Sequence, residues 1–75
     1  MPYIAIKSYP KDEATKMAVA RKINEVFLEL WGCPQEAITI GIEEIAPADW
    51  NARVDIPEIQ PKEDEMLLLR GKWKS

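Results

Sequence analysis

The chain has 75 residues, 47% of them apolar, and a formal charge of −3. A chain this short buries only about 60% of the surface its unfolded form exposes, so one small domain over 1–75 is expected, with surplus apolar surface that a partner subunit would cover. With no histidine and one cysteine, histidine triads, zinc sites and an internal disulfide are excluded, and the absence of a basic stripe argues against nucleic acid.

The N-terminus lacks a basic segment followed by an apolar run, and no stretch approaches the roughly 20 apolar residues of a membrane span. A soluble, cytoplasmic protein is expected. Pro2-Tyr3-Ile4-Ala5-Ile6-Lys7-Ser8 reads as a strand, with Ile4 and Ile6 on one face and Tyr3, Ala5 and Lys7 on the other. Tyr9-Pro10-Lys11 breaks it. Asp12 then caps a helix, with Glu13 placing negative charge in its first turn.

Val19, Ile23, Val26, Phe27, Leu30 and Trp31 recur at spacings of three and four and define the apolar face of that helix. Gly32 is its natural stop, reinforced by Pro34. Cys33, just beyond, reads as a half-buried spacer, because no histidine is available to activate it. The next strand is Ala37-Ile38-Thr39-Ile40-Gly41-Ile42-Glu43, in which three isoleucines alternate with Thr39, Gly41 and Glu43. Gly41 would let a ligand or another backbone approach the second face. Strand, long helix, strand is the β-α-β pattern, an α+β unit with parallel strands.

Ala46-Pro47-Ala48-Asp49-Trp50 reads as a proline-initiated turn, and Ile56-Pro57 and Gln60-Pro61 as extended or looping chain. Glu63 to Arg70 is compatible with a short helix ended by Gly71, or with a strand or docking arm. Two strands are not a stable sheet alone, so the sheet is expected to be completed by oligomerisation.

Chemistry points first to Met1-Pro2. Removal of Met1 leaves a secondary amine on a residue that opens a strand. Held in an apolar pocket, the charged amine loses solvation and its pKa falls toward the working pH, as a general base requires. Met-Pro is by itself a common dipeptide. Its weight comes from the strand, the β-α-β unit and the chain length that follow it.

Pro2-Tyr3-Ile4-Ala5-Ile6-Lys7, the helix ending Trp31-Gly32, the strand Ile38-Thr39-Ile40-Gly41-Ile42 and Ile45-Ala46-Pro47-Ala48-Asp49-Trp50 together resemble the 4-oxalocrotonate tautomerase family of the tautomerase superfamily. The tail from Asp55-Ile56-Pro57-Glu58-Ile59 to Gly71-Lys72-Trp73 resembles the extension of its longer, dimeric, phenylpyruvate-tautomerase-like branch. The resemblance implies a cofactor-independent enol–keto tautomerase, with Pro2 as general base and acid. Its substrate would be a 2-keto acid or the corresponding enol, and its assembly a homodimer, with a hexamer as the alternative.

Two arginines that bind the substrate in well-studied relatives fall here on Lys11, in a loop one residue shorter, and on Thr39. Lysine lacks the bidentate fork of arginine and threonine carries no charge, so one substrate carboxylate is favoured over two. Trp50 matches an aromatic wall of the site and equally suits plain packing. Arg53 is a candidate replacement cation, as are Arg70 and Lys72 if the tail folds toward a site. Tyr3, Glu43 and Glu44 are further candidates, the two carboxylates being by default solvated. Two other functions stay open: hydration or dehalogenation of acrylate-like substrates, and a non-catalytic dimeric binding or structural protein of the same fold.

Overall fold

The computed structural model describes residues 1–74 and has the expected α+β order. Strand β1 (Tyr3–Ser8) is followed by helix α1 (Glu13–Val26) and strand β2 (Thr39–Glu44). The two strands pair in parallel, Tyr3 with Thr39 through to Ser8 with Glu44. Backbone bonds continue the ladder at both ends, Thr39 N–H to the Pro2 carbonyl at 3.2 Å and Ile45 N–H to the Ser8 carbonyl at 2.8 Å.

Helix α1 begins where a cap exists. Asp12 is extended (φ −65°, ψ 153°), and its carboxylate accepts the Thr15 backbone N–H at 2.9 Å and the Thr15 hydroxyl at 2.8 Å. It ends by widening into a π-helical turn over Phe27–Trp31, which Gly32 closes in the left-handed conformation (φ 72°) with its N–H on the Phe27 carbonyl. Left-handed backbone of this kind suits glycine, which has no Cβ to clash. The Cys33 thiol contacts the same carbonyl at 3.7 Å and is half-buried.

A short 3-10 turn, Gln35–Ala37, leads into β2, which therefore starts at Thr39 rather than at Ala37. Paired amides tie this turn to α1, Asn24 Nδ2 to Gln35 Oε1 at 3.0 Å and Gln35 Nε2 to Asn24 Oδ1 at 2.7 Å.

The covered face of α1 differs from the expected stripe. Ile23 and Phe27 are half-buried, in company with Lys16, Ala20 and Asn24, but Val19, Val26, Leu30 and Trp31 are exposed, Leu30 at 78%. Two strands about 4.8 Å apart make a strip too narrow to cover so wide an apolar arc. Across the sheet, Ile4, Ile6, Ile38, Ile40 and Ile42 are half-buried, whereas Tyr3, Ala5, Thr39, Gly41 and Glu43 on the opposite face are exposed.

The chain divides into two compact units, Met1–Ile45 and the stretch from Ala46 onward. The second opens with a 3-10 turn at Pro47–Asp49, led by proline as expected. It continues as a π-helix over Asn51–Ile59 and a 3-10 stretch over Gln60–Glu65. This corrects the reading of Ile56-Pro57 and Gln60-Pro61 as extended chain. Gln60 is helical (φ −56°, ψ −44°) although the residue before a proline is sterically pushed away from that region. Burial of Val54 and the bond from Gln60 Nε2 to Asp55 Oδ2 at 2.8 Å hold the segment helical against that local preference.

Of the readings left open for Glu63 to Arg70, the strand is realised beyond the 3-10 stretch that ends at Glu65. Strands β3 (Leu68–Leu69) and β4 (Lys72–Trp73) make a small antiparallel hairpin. Arg70 (φ 48°) and Gly71 (φ 82°) form its two-residue turn, and positive φ at both positions matches the right-handed twist of the strands. Gly71 therefore turns a hairpin rather than stopping a helix. Arg70 holds its unusual backbone while its guanidinium bonds Asp55 Oδ1 at 2.9 Å and Glu63 Oε2 at 3.0 Å. None of the helices among the described residues is long and apolar enough to cross a membrane.

Candidate active site

Pro2 sits half-buried immediately before β1, and its carbonyl is fixed by the Thr39 N–H. The residue nominated as base is thus held at the edge of the sheet rather than on a loose tail. Thr39 opens β2 beside it, exposed, at the same end of the sheet. These two residues are brought together.

The exposed sheet face beyond them bears a shallow depression of about 210 Å3, lined by Tyr3, Ala5, Lys7, Gly41 and Glu43 among others. A Cβ built on Gly41 would meet nothing within 4 Å, so the space above this face is open in the single chain.

Lys11 lies elsewhere. It is exposed, one residue before the α1 cap, and its backbone N–H donates to Glu44 Oε2 at 3.0 Å. Glu44 is the last residue of β2 and faces Ser8 in the register. Pro2 and Lys11 therefore occupy opposite ends of a six-residue strand, about 20 Å of extended chain. No small keto acid bridges that span.

Glu44 is more than a solvated end. Its carboxylate also takes Lys16 Nζ at 2.9 Å, and Lys16 in turn holds Glu13 Oε1 at 2.8 Å. The Lys11 N–H, followed by Lys16, keeps Glu44 below the usual carboxylate range, and the hydrogen bonds that Lys16 donates to Glu13 and Glu44 raise its own pKa. Local spacing gives no sign of this cluster. It becomes legible only when the parallel register sets Glu44 across from Ser8, close to the loop that leaves β1.

Trp50 and Arg53 belong to the second unit. Trp50 is half-buried and follows the Pro47–Asp49 turn; Arg53 is exposed, three residues further along the π-helix. Arg70, also considered as a substrate cation, has its guanidinium engaged by Asp55 and Glu63, which raise its pKa.

No family model matches the chain. Curated relatives do. Tautomerase PptA of Enterobacter sp. (strain 638) is 32% identical over 73 residues, covering 95% of this chain and 96% of its own length. The proteins of that name from Shigella sonnei (strain Ss046) and Escherichia coli O139:H28 (strain E24377A / ETEC) are each 33% identical over the same coverage. At that identity, over nearly the full length of both proteins, the parallel β-α-β unit that follows Pro2 acquires a lineage: the chain belongs to the tautomerase family. It is an isomerase.

Proposed function

We propose that the protein interconverts the enol and keto forms of a monoanionic 2-keto acid, phenylpyruvate-like in character, with the amine of Pro2 as general base and acid once Met1 has been removed. The Pro2 nitrogen takes the enol hydroxyl proton, and the O–H electron pair becomes the carbonyl π bond. The former C2=C3 pair accepts the proton at C3, so the proline is regenerated. The step needs no cofactor.

The observation that carries this reading is the anchoring of Pro2 by Thr39. It fixes the nitrogen-bearing residue at one end of the sheet, beside an uncharged side chain where relatives are expected to carry a second cation. With one cation fewer, a substrate with one carboxylate fits better than a dicarboxylate. Lys11, at the far end of β1, cannot serve the Pro2 of its own chain. In this reading each site joins Pro2 of one copy to Lys11 of another, in a homodimer or larger assembly. Exposed Tyr3 on the sheet face and the uncovered Leu30 and Trp31 support such an assembly, because they leave apolar surface unsatisfied.

The test is ketonisation of phenylenolpyruvate by the processed protein, its N-terminus verified by mass spectrometry. Pro2→Ala is expected to lose about a hundredfold or more in kcat, the contribution of a positioned acid–base group. Undiminished turnover in that variant, or full activity in protein that retains Met1, rules the mechanism out. Conversion of a 3-haloacrylate to a hydrated product without ketonisation would favour the hydratase chemistry instead.

A further inference from the structure

We propose that Glu44 is a positioning residue that aims Lys11 at the substrate carboxylate, an inference that rests on the substrate-binding role of Lys11 proposed above. Three features carry it. The Glu44 carboxylate receives the Lys11 backbone N–H at 3.0 Å, so it holds the main chain of the residue itself rather than its ammonium. That leaves the Lys11 side chain exposed on an anchored backbone.

The anchoring is two-sided. Pro10 restricts the chain before Lys11, since its ring fixes φ. After it, Asp12 is locked by its bonds to Thr15. The loop from Pro10 to Asp12 thus has little freedom once Glu44 is engaged, and a pre-set cation binds an anion with less loss of entropy.

The charge arrangement is consistent with the same role. An unpaired carboxylate next to an anion-binding lysine would repel the substrate. Lys16 Nζ, 2.9 Å from Glu44 Oε2, offsets that charge while leaving the oxygen able to accept from Lys11. Glu13 steadies Lys16 from the first turn of α1 at 2.8 Å. The cluster therefore couples β2, the β1–α1 loop and the helix start, three elements that must agree for Lys11 to point one way.

A double-mutant cycle in the full, processed chain tests this, with phenylenolpyruvate as the probe and thermal unfolding recorded in parallel. Lys11→Ala is expected to raise KM about tenfold, the loss of one charged contact. Glu44→Ala should raise KM about fivefold with kcat nearly unchanged, and should add nothing further in the Lys11→Ala background. Glu44→Gln, which keeps an oxygen acceptor for the Lys11 N–H, should restore most of the native KM.

Should Glu44→Ala fail to fold, Glu44→Met carries the same cycle, because it keeps the aliphatic bulk of the side chain and removes the acceptor for the Lys11 N–H. An increase in KM of equal size with and without Lys11 overturns the positioning role, as does a KM insensitive to Glu44 where Lys11→Ala has its effect. A KM unmoved by Lys11→Ala overturns the substrate-binding reading itself, and the role of Glu44 with it.

Discussion

Pro2 and Thr39 are joined by a backbone hydrogen bond: the Pro2 carbonyl accepts the Thr39 N–H at 3.2 Å. Because the bond is made by the main chain, the Thr39 side chain is free to vary without loosening the proline. Thr39→Arg is therefore expected to leave the melting temperature within a few degrees of native and to introduce a cation at the Pro2 end of the sheet. Steady-state kinetics should show KM for a dicarboxylate enol falling about tenfold, the scale of one charge-assisted contact. An unchanged KM would count against a site at this end.

The helix cap gives a prediction that is independent of catalysis. The backbone N–H and hydroxyl of Thr15 hold Asp12 below its ordinary pKa. Its stabilising contribution is accordingly complete above the ordinary aspartate range and is lost as pH falls through the lowered folded-state value. Asp12→Ala should melt several degrees below native at neutral pH, and the gap between the two should close in acid. A gap that persists unchanged into strong acid would show that the cap does not act through its ionised carboxylate.

Ile45 is 1% exposed and follows β2, with its N–H on Ser8. Ile45→Ala removes buried methyl groups and should cost roughly 2–5 kcal/mol, against about 0.5–1.5 kcal/mol for Ile45→Val. Net stabilities of small domains are about 5–15 kcal/mol, so the alanine variant should be largely unfolded under mild denaturant. Val19→Ala, at a residue 44% exposed, should be nearly neutral by comparison in the same denaturant series.

The tail hairpin separates backbone strain from side-chain ties. Arg70→Gly relaxes the positive φ but removes the bonds to Asp55 and Glu63, whereas Arg70→Leu removes the bonds and keeps the strain. Amide exchange of Lys74, whose N–H donates to the Leu67 carbonyl at 3.0 Å, reads the outcome. It should speed up more in Arg70→Leu than in Arg70→Gly, and native protection should weaken with salt as the ion pairs are screened. Equal exchange in the two variants would mean the turn conformation contributes nothing.

Local sequence reveals most of the first unit and, in the second, the turn that Pro47 initiates. β1, the Asp12 cap, the Gly32 stop and the alternation of β2 are all written within a few residues of one another, and each appears in the fold. The exposure of Val19, Val26, Leu30 and Trp31 is not legible in the sequence, because periodicity reports an apolar arc, not the width of what covers it. In the second unit Gln60 obeys Val54 burial and Asp55 bonding over its own pre-proline preference. The run Met66 to Leu69 has no period, so only the positive φ of Arg70 and Gly71 identifies a hairpin. The Lys11–Glu44 bond spans 33 residues and depends wholly on strand register.

The length of β1 has a genetic consequence. If a proline answers to the lysine of another copy, then Pro2→Ala and Lys11→Ala chains are each defective alone but carry complementary halves. Unfolded together and refolded as mixed assemblies, they would recreate some sites with both native residues, and activity would return by intersubunit complementation. Two defects on one chain, mixed with nothing, would stay silent.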